Sequence, residues 1–190
     1  MIRMILLSLM ILLVSACNAQ PAATMAKETT TVDTMMKPTA DAMMGSKWLE
    51  AELKDVNSGT PFTISQFKGK VVVVELIAVW CSTCLQQEKT IQPLLTGSGM
   101  GFEYVSLDID PNENAMDLGK YAQQNQFQWK LAVVTSATAH DIGQIYADSY
   151  LNPPSAPILV VDKKGEVHPL PLGLKNADEF KKALEPFMGM

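Results

Sequence analysis

At 190 residues, 47% of them apolar, the chain is long enough for one domain with a sizeable core. Its formal charge of −5 is modest and unclustered, so no basic stripe exists to meet phosphates and a nucleic-acid partner is disfavoured. Three cysteines make an odd count, and one of them needs a separate fate.

Residues 1–17 read MIRMILLSLMILLVSAC, with Arg3 ahead of a stretch, 4–14, that is apolar except for Ser8. The stretch is too short to span a bilayer as a mature helix and has the layout of a secretory signal. Its ending, Val14-Ser15-Ala16-Cys17, resembles a bacterial lipobox. On that reading residues 1–16 are removed, Cys17 is lipidated, and the mature protein is held to a membrane outside the cytoplasm, in the periplasm or at the cell surface. An ordinary signal cut after Ala19 is the alternative, and it discards Cys17. Both leave no spare thiol in the mature chain. Asn18, where an aspartate would resemble an inner-membrane retention signal, leaves the choice of membrane open.

Residues 18–45 lack aromatics and are rich in Thr, Ala and Met. Such a segment buries too little apolar area to offset its ordering entropy, so residues 17–45 are expected to be a lipid anchor followed by a flexible tether. Its reach is roughly 30 Å. The pairs Met35-Met36 and Met43-Met44 have a second reading, because thioethers hold Cu(I).

The folded domain is expected over residues 46–190. Residues 49–62 read as a hairpin turning at Asn57-Ser58-Gly59, and a short connection leads to an apolar strand over 71–79. A helix over 85–95 is expected to be interrupted or kinked near Pro93. Next come a strand at 102–108, a helix at 113–125, a strand at 131–134 and a helix at 138–150. The tail gives a strand at 158–161, a turn at Lys163-Lys164-Gly165, a strand at 167–170 and a helix at 176–188. Strands alternating with helices imply an α/β fold with a central mixed sheet covered on both faces.

The chemistry concentrates in residues 70–85, KVVVVELIAVWCSTCL. A β-branched run ends in Trp80 and then in Cys81 and Cys84, so a buried strand delivers two cysteines to a helix start. With Cys81 in the first helical turn, Cys84 lies on the same face, within the roughly 4.4 to 6.8 Å between α-carbons that a disulfide requires. Free amide N–H groups and the helix dipole favour the Cys81 thiolate, which makes Cys81 the candidate nucleophile. Cys84, deeper and shielded, is placed to resolve a mixed disulfide. Two structural cysteines or half of a zinc site are the alternatives. Zinc needs further ligands, and the chain offers only the isolated His140 and His168, so no metal is expected.

On these residues, and on the segments ELKDVNSGTPFTISQFKGK and PPSAPILVVDKKGEV, residues 49–188 resemble the thioredoxin superfamily, and within it the extracytoplasmic TlpA/ResA-like thiol-disulfide oxidoreductases. The resemblance implies a thioredoxin-like fold with an N-terminal β-hairpin extension. It makes Pro157 the cis-proline facing the cysteine pair, with Ala156 offering backbone hydrogen bonds to an extended substrate. Trp80, Ala156 and Pro157 are thus the candidate substrate-binding residues, although Pro153, Pro154 and Pro157 can also be read as shaping a loop. Glu75, six positions before Cys81, stands where thioredoxins keep a buried acid beneath the active-site helix. Burial there raises its pKa and suits it to exchange protons with Cys84; a Glu at a strand edge reaching water is the other reading. Two positions depart from the pattern. Gln87 stands where cytochrome-maturation relatives often carry a glutamate, with Glu88 one further on, and Ser82-Thr83 replaces a dipeptide that often holds a proline or glutamate.

The expected function is thiol-disulfide exchange by a lipid-tethered monomer acting as reductant or relay. Its partners are exported proteins with cysteine pairs and an upstream membrane electron donor. No organic cofactor is required, since the electrons reside in the Cys81–Cys84 dithiol. The direction of exchange is not legible, because potentials of about −270 to −120 mV occur with the same motif. The competing readings are a copper-binding assembly factor and a non-catalytic adaptor with a structural disulfide, the latter requiring Cys81 to be buried and unreactive.

Overall fold

The computed structural model describes residues 46–97 and 101–189; the expected leader, Cys17 and the tether lie outside the described residues. A 3-10 turn at Lys47–Leu49 buries Trp48 and Leu49. It leads into a short antiparallel hairpin, β1 (Leu53–Lys54) and β2 (Pro61–Phe62), with Leu53 opposite Phe62. The turn between them is closed by Asp55, which accepts hydrogen bonds from the Asn57 amide and the Ser58 hydroxyl, and by Gly59 at φ 72°.

Strand β3 (Val71–Ile77) is buried along its whole length, as a β-branched run in the middle of a sheet must be. It pairs in parallel with β4 (Phe102–Asp108) after helix α1 (Ser82–Gly97), and β4 pairs in parallel with β5 (Lys130–Val133) after helix α2 (Ala115–Asn125). Helix α3 (Ser136–Tyr146) follows, then β6 (Ile158–Val161), antiparallel to β3, then β7 (Val167–Pro169) and helix α4 (Ala177–Met188). The five-stranded sheet has the order β5-β4-β3-β6-β7, with β3 at its centre.

The period-two alternation of β3 divides the core. Val72, Val74 and Leu76 face Ile142 and Tyr146 of α3 together with Trp48, Leu53 and Phe62. Val71 and Val73 face Ile91 of α1 and Phe180 and Leu184 of α4, while Ile77 packs with Cys84 and with Leu118 and Tyr121 of α2. Helices therefore cover both faces, as the alternation of elements implies.

Local side chains set most helix starts. The Asn114 side chain caps α2 by accepting from the Met116 and Asp117 amides, Thr135 caps α3, and Asn176 forms a capping box with Glu179 at α4. These caps place α2 two residues later than the sequence pattern suggests and α3 two residues earlier. Helix α3 also ends before the expected residue 150, because Ala147 takes φ 75° and the chain continues as a 3-10 turn, Asp148–Leu151. That turn folds Leu151 onto Gly143, where a Cβ would lie 2.6 Å from Leu151 Cδ1. Helix α1 starts earlier than expected and runs on through Pro93 rather than being interrupted there.

Candidate active site

The loop after β3 is held before it reaches the cysteines. The Val79 amide donates to Glu113 Oε2 (2.7 Å), and the Trp80 indole N–H donates to Asp110 Oδ2 (2.6 Å). That bond holds the Asp110 carboxyl below its usual range and leaves Trp80 59% exposed. Behind them Asp108 is fully buried, and its pKa is pushed up to about 8 by that burial and by the neighbouring Glu113 carboxyl.

Cys81 and Cys84 form a disulfide, with α-carbons 5.3 Å apart. Cys81 does not lie within the first helical turn; it is the residue just before α1. Its amide donates to the Ala78 carbonyl, its carbonyl accepts from the Leu85 amide (3.1 Å), and its Sγ accepts from the Cys84 amide (3.1 Å). The sulfur thus sits where a capping side chain sits, and an amide that the helix itself leaves unpaired points at it. A thiolate on Cys81 would be favoured by that contact. Cys84 Sγ lies 3.3 Å from the Pro153 carbonyl, to which a reduced thiol would donate. Both cysteines are buried: Cys81 is 2% exposed and Cys84 is fully enclosed.

The 3-10 turn Pro153–Ser155 packs against Cys84 through its Pro153 carbonyl. Ala156 follows with φ 47°, and its amide is already engaged by the Pro153 carbonyl (2.9 Å), so in this disulfide form that N–H is not offered to a substrate chain. Pro157 is buried as well, and its carbonyl accepts from the Leu76 amide (3.0 Å), tying this loop to β3. Trp80 and Ser82, next to the cysteines in the chain, are exposed, as are Pro154 and, on a second loop, Leu172 and Leu174. The two loops are joined by the Gly173 amide donating to the Ser155 carbonyl (2.7 Å).

Gln87 explains one departure from the family pattern. Its amide is buried and paired twice with the backbone of Lys175, donating to the carbonyl (3.1 Å) and accepting from the N–H (2.7 Å). Only a group with both a donor and an acceptor can do this, and an ionised glutamate, which only accepts, cannot. Gln87 therefore fastens the loop bearing Leu172 and Leu174 to the helix that carries the cysteines.

Beneath α1 lies a buried acidic pair. Glu75 is fully buried in the central strand, which removes the reading of an edge residue reaching water. The β3–β4 register sets Glu75 opposite Ser106, so Tyr104 and Ser106 project on the same face. The Tyr104 hydroxyl donates to Glu75 Oε2, while Glu75 Oε1 finds no partner among the described residues. Burial raises the Glu75 pKa well above 4.5, and the nearby Glu88 carboxyl raises it further. Glu88, on α1, is equally buried; it accepts from Ser106 Oγ (2.6 Å) on one oxygen and from the Tyr121 hydroxyl on the other. Its pKa is raised by burial from 4.5 to about 7. The Trp129 indole orients Ser106 (2.9 Å). Sequence reasoning noticed Glu88 without giving it a role, since within LQQEK it reads as one more solvated helix residue; its i+4 spacing from Cys84 was the available signal.

Among the described residues, Asp162, Glu166 and His168 bring three potential metal-ligand atoms within 4.8 Å of one another at the β6–β7 turn. The Asp162 carboxylate there accepts from the Lys164 and Glu166 amides and pairs with the His168 ring, which is what a tight hairpin turn requires. Neither cysteine belongs to this group. No helix of the described residues is long and apolar enough to cross a membrane.

Solved structures with similar folds carry the same architecture. A thiol:disulfide interchange protein of the thioredoxin family from Chlorobium tepidum superposes with a TM-score of 0.61 at 21% identity, covering 73% of this chain and 93% of that one. A secreted disulfide oxidoreductase from Mycobacterium tuberculosis superposes with a TM-score of 0.55 at 15% identity, covering 74% and 98%. At such identities the likeness carries the fold. An uncharacterized protein from Haemophilus influenzae is 28% identical over 89 residues, which is 47% of this chain and 56% of that protein, so the match spans little more than half of that relative. The Redoxin family profile matches residues 38–184, nearly all of the domain built around β3 and the cysteine pair. The chain belongs to the Redoxin family and has a thioredoxin-like α/β fold.

Proposed function

We propose that the protein is a thiol-disulfide oxidoreductase of the TlpA/ResA-like type, tethered outside the cytoplasm through a lipid on Cys17. It would act as reductant or relay for exported proteins with cysteine pairs, and take its electrons from a membrane donor. The observation that carries this reading is the Cys81–Cys84 disulfide at the head of α1, with Cys81 Sγ accepting a backbone N–H and two buried carboxyls under the helix. In the reductive direction the Cys81 thiolate attacks a partner disulfide, one partner sulfur leaves as thiolate, and a mixed disulfide forms at Cys81. Cys84 then loses its proton to a buried carboxylate and attacks Cys81 Sγ, which restores the Cys81–Cys84 bond and releases the second partner sulfur. Electrons enter and leave through the two sulfurs, so the reading needs no organic cofactor. Trp80 and the loop from Pro153 to Pro157 border the pair and serve as the docking rim.

Cys81→Ser abolishes reduction of insulin disulfides on this reading, whereas Cys84→Ala still forms mixed disulfides and does not turn over. In the full chain, wild type sediments with membranes and Cys17→Ser releases it. Full reductase activity without Cys81 would overturn the enzymatic assignment, and soluble wild type that lacks Cys17 would overturn the anchor. The 2% exposure of Cys81 favours a second reading, a structural disulfide in a non-catalytic adaptor. Under that reading the reduced protein alkylates both thiols slowly and alike, whereas an oxidoreductase alkylates Cys81 first near neutral pH.

A further inference from the structure

Two buried carboxyls lie under α1, and the exchange chemistry requires one proton acceptor. We propose that Glu88 is the base that takes the Cys84 proton, with Glu75 as its proton-bearing neighbour. This rests on the oxidoreductase reading and goes further by assigning the two acids different work.

Position comes first. Glu88 follows Cys84 by four residues on α1, so the two side chains share a helix face one turn apart, and both are fully buried there. Tyr121 links them: its ring packs in the same cluster as Cys84, and its hydroxyl donates to Glu88. Hydrogen bonding then separates the pair. Donors to a carboxylate stabilise its charged form. Among the described residues, Glu88 receives one on each oxygen, from Ser106 and Tyr121, whereas Glu75 receives only the Tyr104 hydroxyl and leaves Oε1 unpartnered. Like charges this close resist ionising together, so the first proton lost from the pair leaves Glu88 and Glu75 keeps its own. The remaining groups facing the pair are the Lys175 ammonium, which acts on Glu75 while bonding the Pro171 and Gly173 carbonyls, and the Glu113 carboxyl, which acts on Tyr121. With its pKa raised by burial to about 7, Glu88 is ionised in part near neutral pH and is basic enough to serve a thiol.

The step balances as follows. The Cys84 S–H bond breaks and its proton passes to a Glu88 oxygen; Cys84 sulfur bonds to Cys81 Sγ; the bond from Cys81 to the partner sulfur breaks, and its electron pair leaves on the partner thiolate. Glu88, now an acid, returns the proton to that thiolate or to water.

The test uses the reduced full chain and an aromatic disulfide, 5,5′-dithiobis(2-nitrobenzoate), followed by stopped flow. The first thiolate released reports attack by Cys81 and the second reports resolution by Cys84. Glu88→Gln is expected to slow the second release about tenfold or more near pH 7 and to move its pH break upward. Glu75→Gln slows it less and leaves the break close to its wild-type position, because Glu75 is already uncharged when Glu88 ionises. Tyr121→Phe keeps both carboxyls but removes a donor to the charged Glu88, so the break moves upward; this variant decides the matter where Glu88→Gln does not fold. A large loss in Glu75→Gln with Glu88→Gln close to wild type would make Glu75 the base and overturn the proposal, as would a break that stays fixed in Tyr121→Phe. No first release from wild type would instead overturn the oxidoreductase reading, and this proposal with it.

Discussion

The two faces of β3 are built on different principles. Val72, Val74 and Leu76 pack in a cluster of buried hydrophobic side chains that includes Trp48, Ile142 and Tyr146. On the other face the strand that carries Val71 and Val73 also carries Glu75, and the helix above it brings Glu88 and Cys84, with Cys81 just before its first residue. The first face holds the sheet together through area removed from water and has no titratable group within its strand. The second holds acids that burial disfavours in their charged form, so its contribution to stability changes with pH. Keeping such groups out of water costs free energy, which the apolar face offsets.

Truncating the apolar face should produce the largest effect. Leu76 is fully buried, and Leu76→Ala is expected to cost roughly 2–5 kcal/mol in chemical denaturation while leaving the pH dependence of stability unchanged. A change in that pH dependence would show that the two faces are not independent.

The acidic face should supply the pH dependence. Between the ordinary carboxyl value of 4.5 and about 7, the folded protein holds a proton on Glu88 that the unfolded chain has lost, so stability falls as pH rises through this window. The loss is on the order of 3 kcal/mol for this one group. Glu75, raised well above 4.5, and Asp108, raised to about 8, extend the decline upward with the same sign. Denaturation curves measured with the disulfide intact should show this decline, and Glu88→Gln should flatten its lower part. Stability that instead rises from pH 5 to 7 would contradict the buried pair.

A smaller effect isolates the loop clamp. Gln87→Glu keeps the acceptor for the Lys175 amide and removes the donor to its carbonyl, at an expected cost of about 1–3 kcal/mol. Hydrogen exchange should speed up at the amides of Lys175 and Gly173 and not in β3. Unaltered exchange at both would mean that other contacts hold this loop.

Several elements were legible from residues near one another in the chain. The apolar run 71–79 could be little other than a buried central strand, which ends at Ile77. The hairpin and the mixed sheet followed from turn residues and alternation. The spacing of Cys81 and Cys84 at a helix start suggested the bond that the structure shows, although Cys81 precedes the helix. These features depend on the local periods of two and 3.6 residues, which a sequence displays directly. The boundaries of α2 and α3 were less legible because the Asn114 and Thr135 caps, and the turn in which Leu151 packs on Gly143, decide them. Tertiary structure alone decided what surrounds the cysteines. Glu75 and Glu88 belong to different elements and meet because the β3–β4 register sets Ser106 opposite Glu75 and α1 packs across that face; Tyr121 and Trp129 reach the same spot from elsewhere in the chain. Likewise Gln87 finds Lys175 at a separation of 88 residues, and the Pro153 carbonyl meets Cys84 Sγ. In each case the partner is chosen by sheet register and helix packing, and neither leaves a local pattern in the sequence for a reader to find.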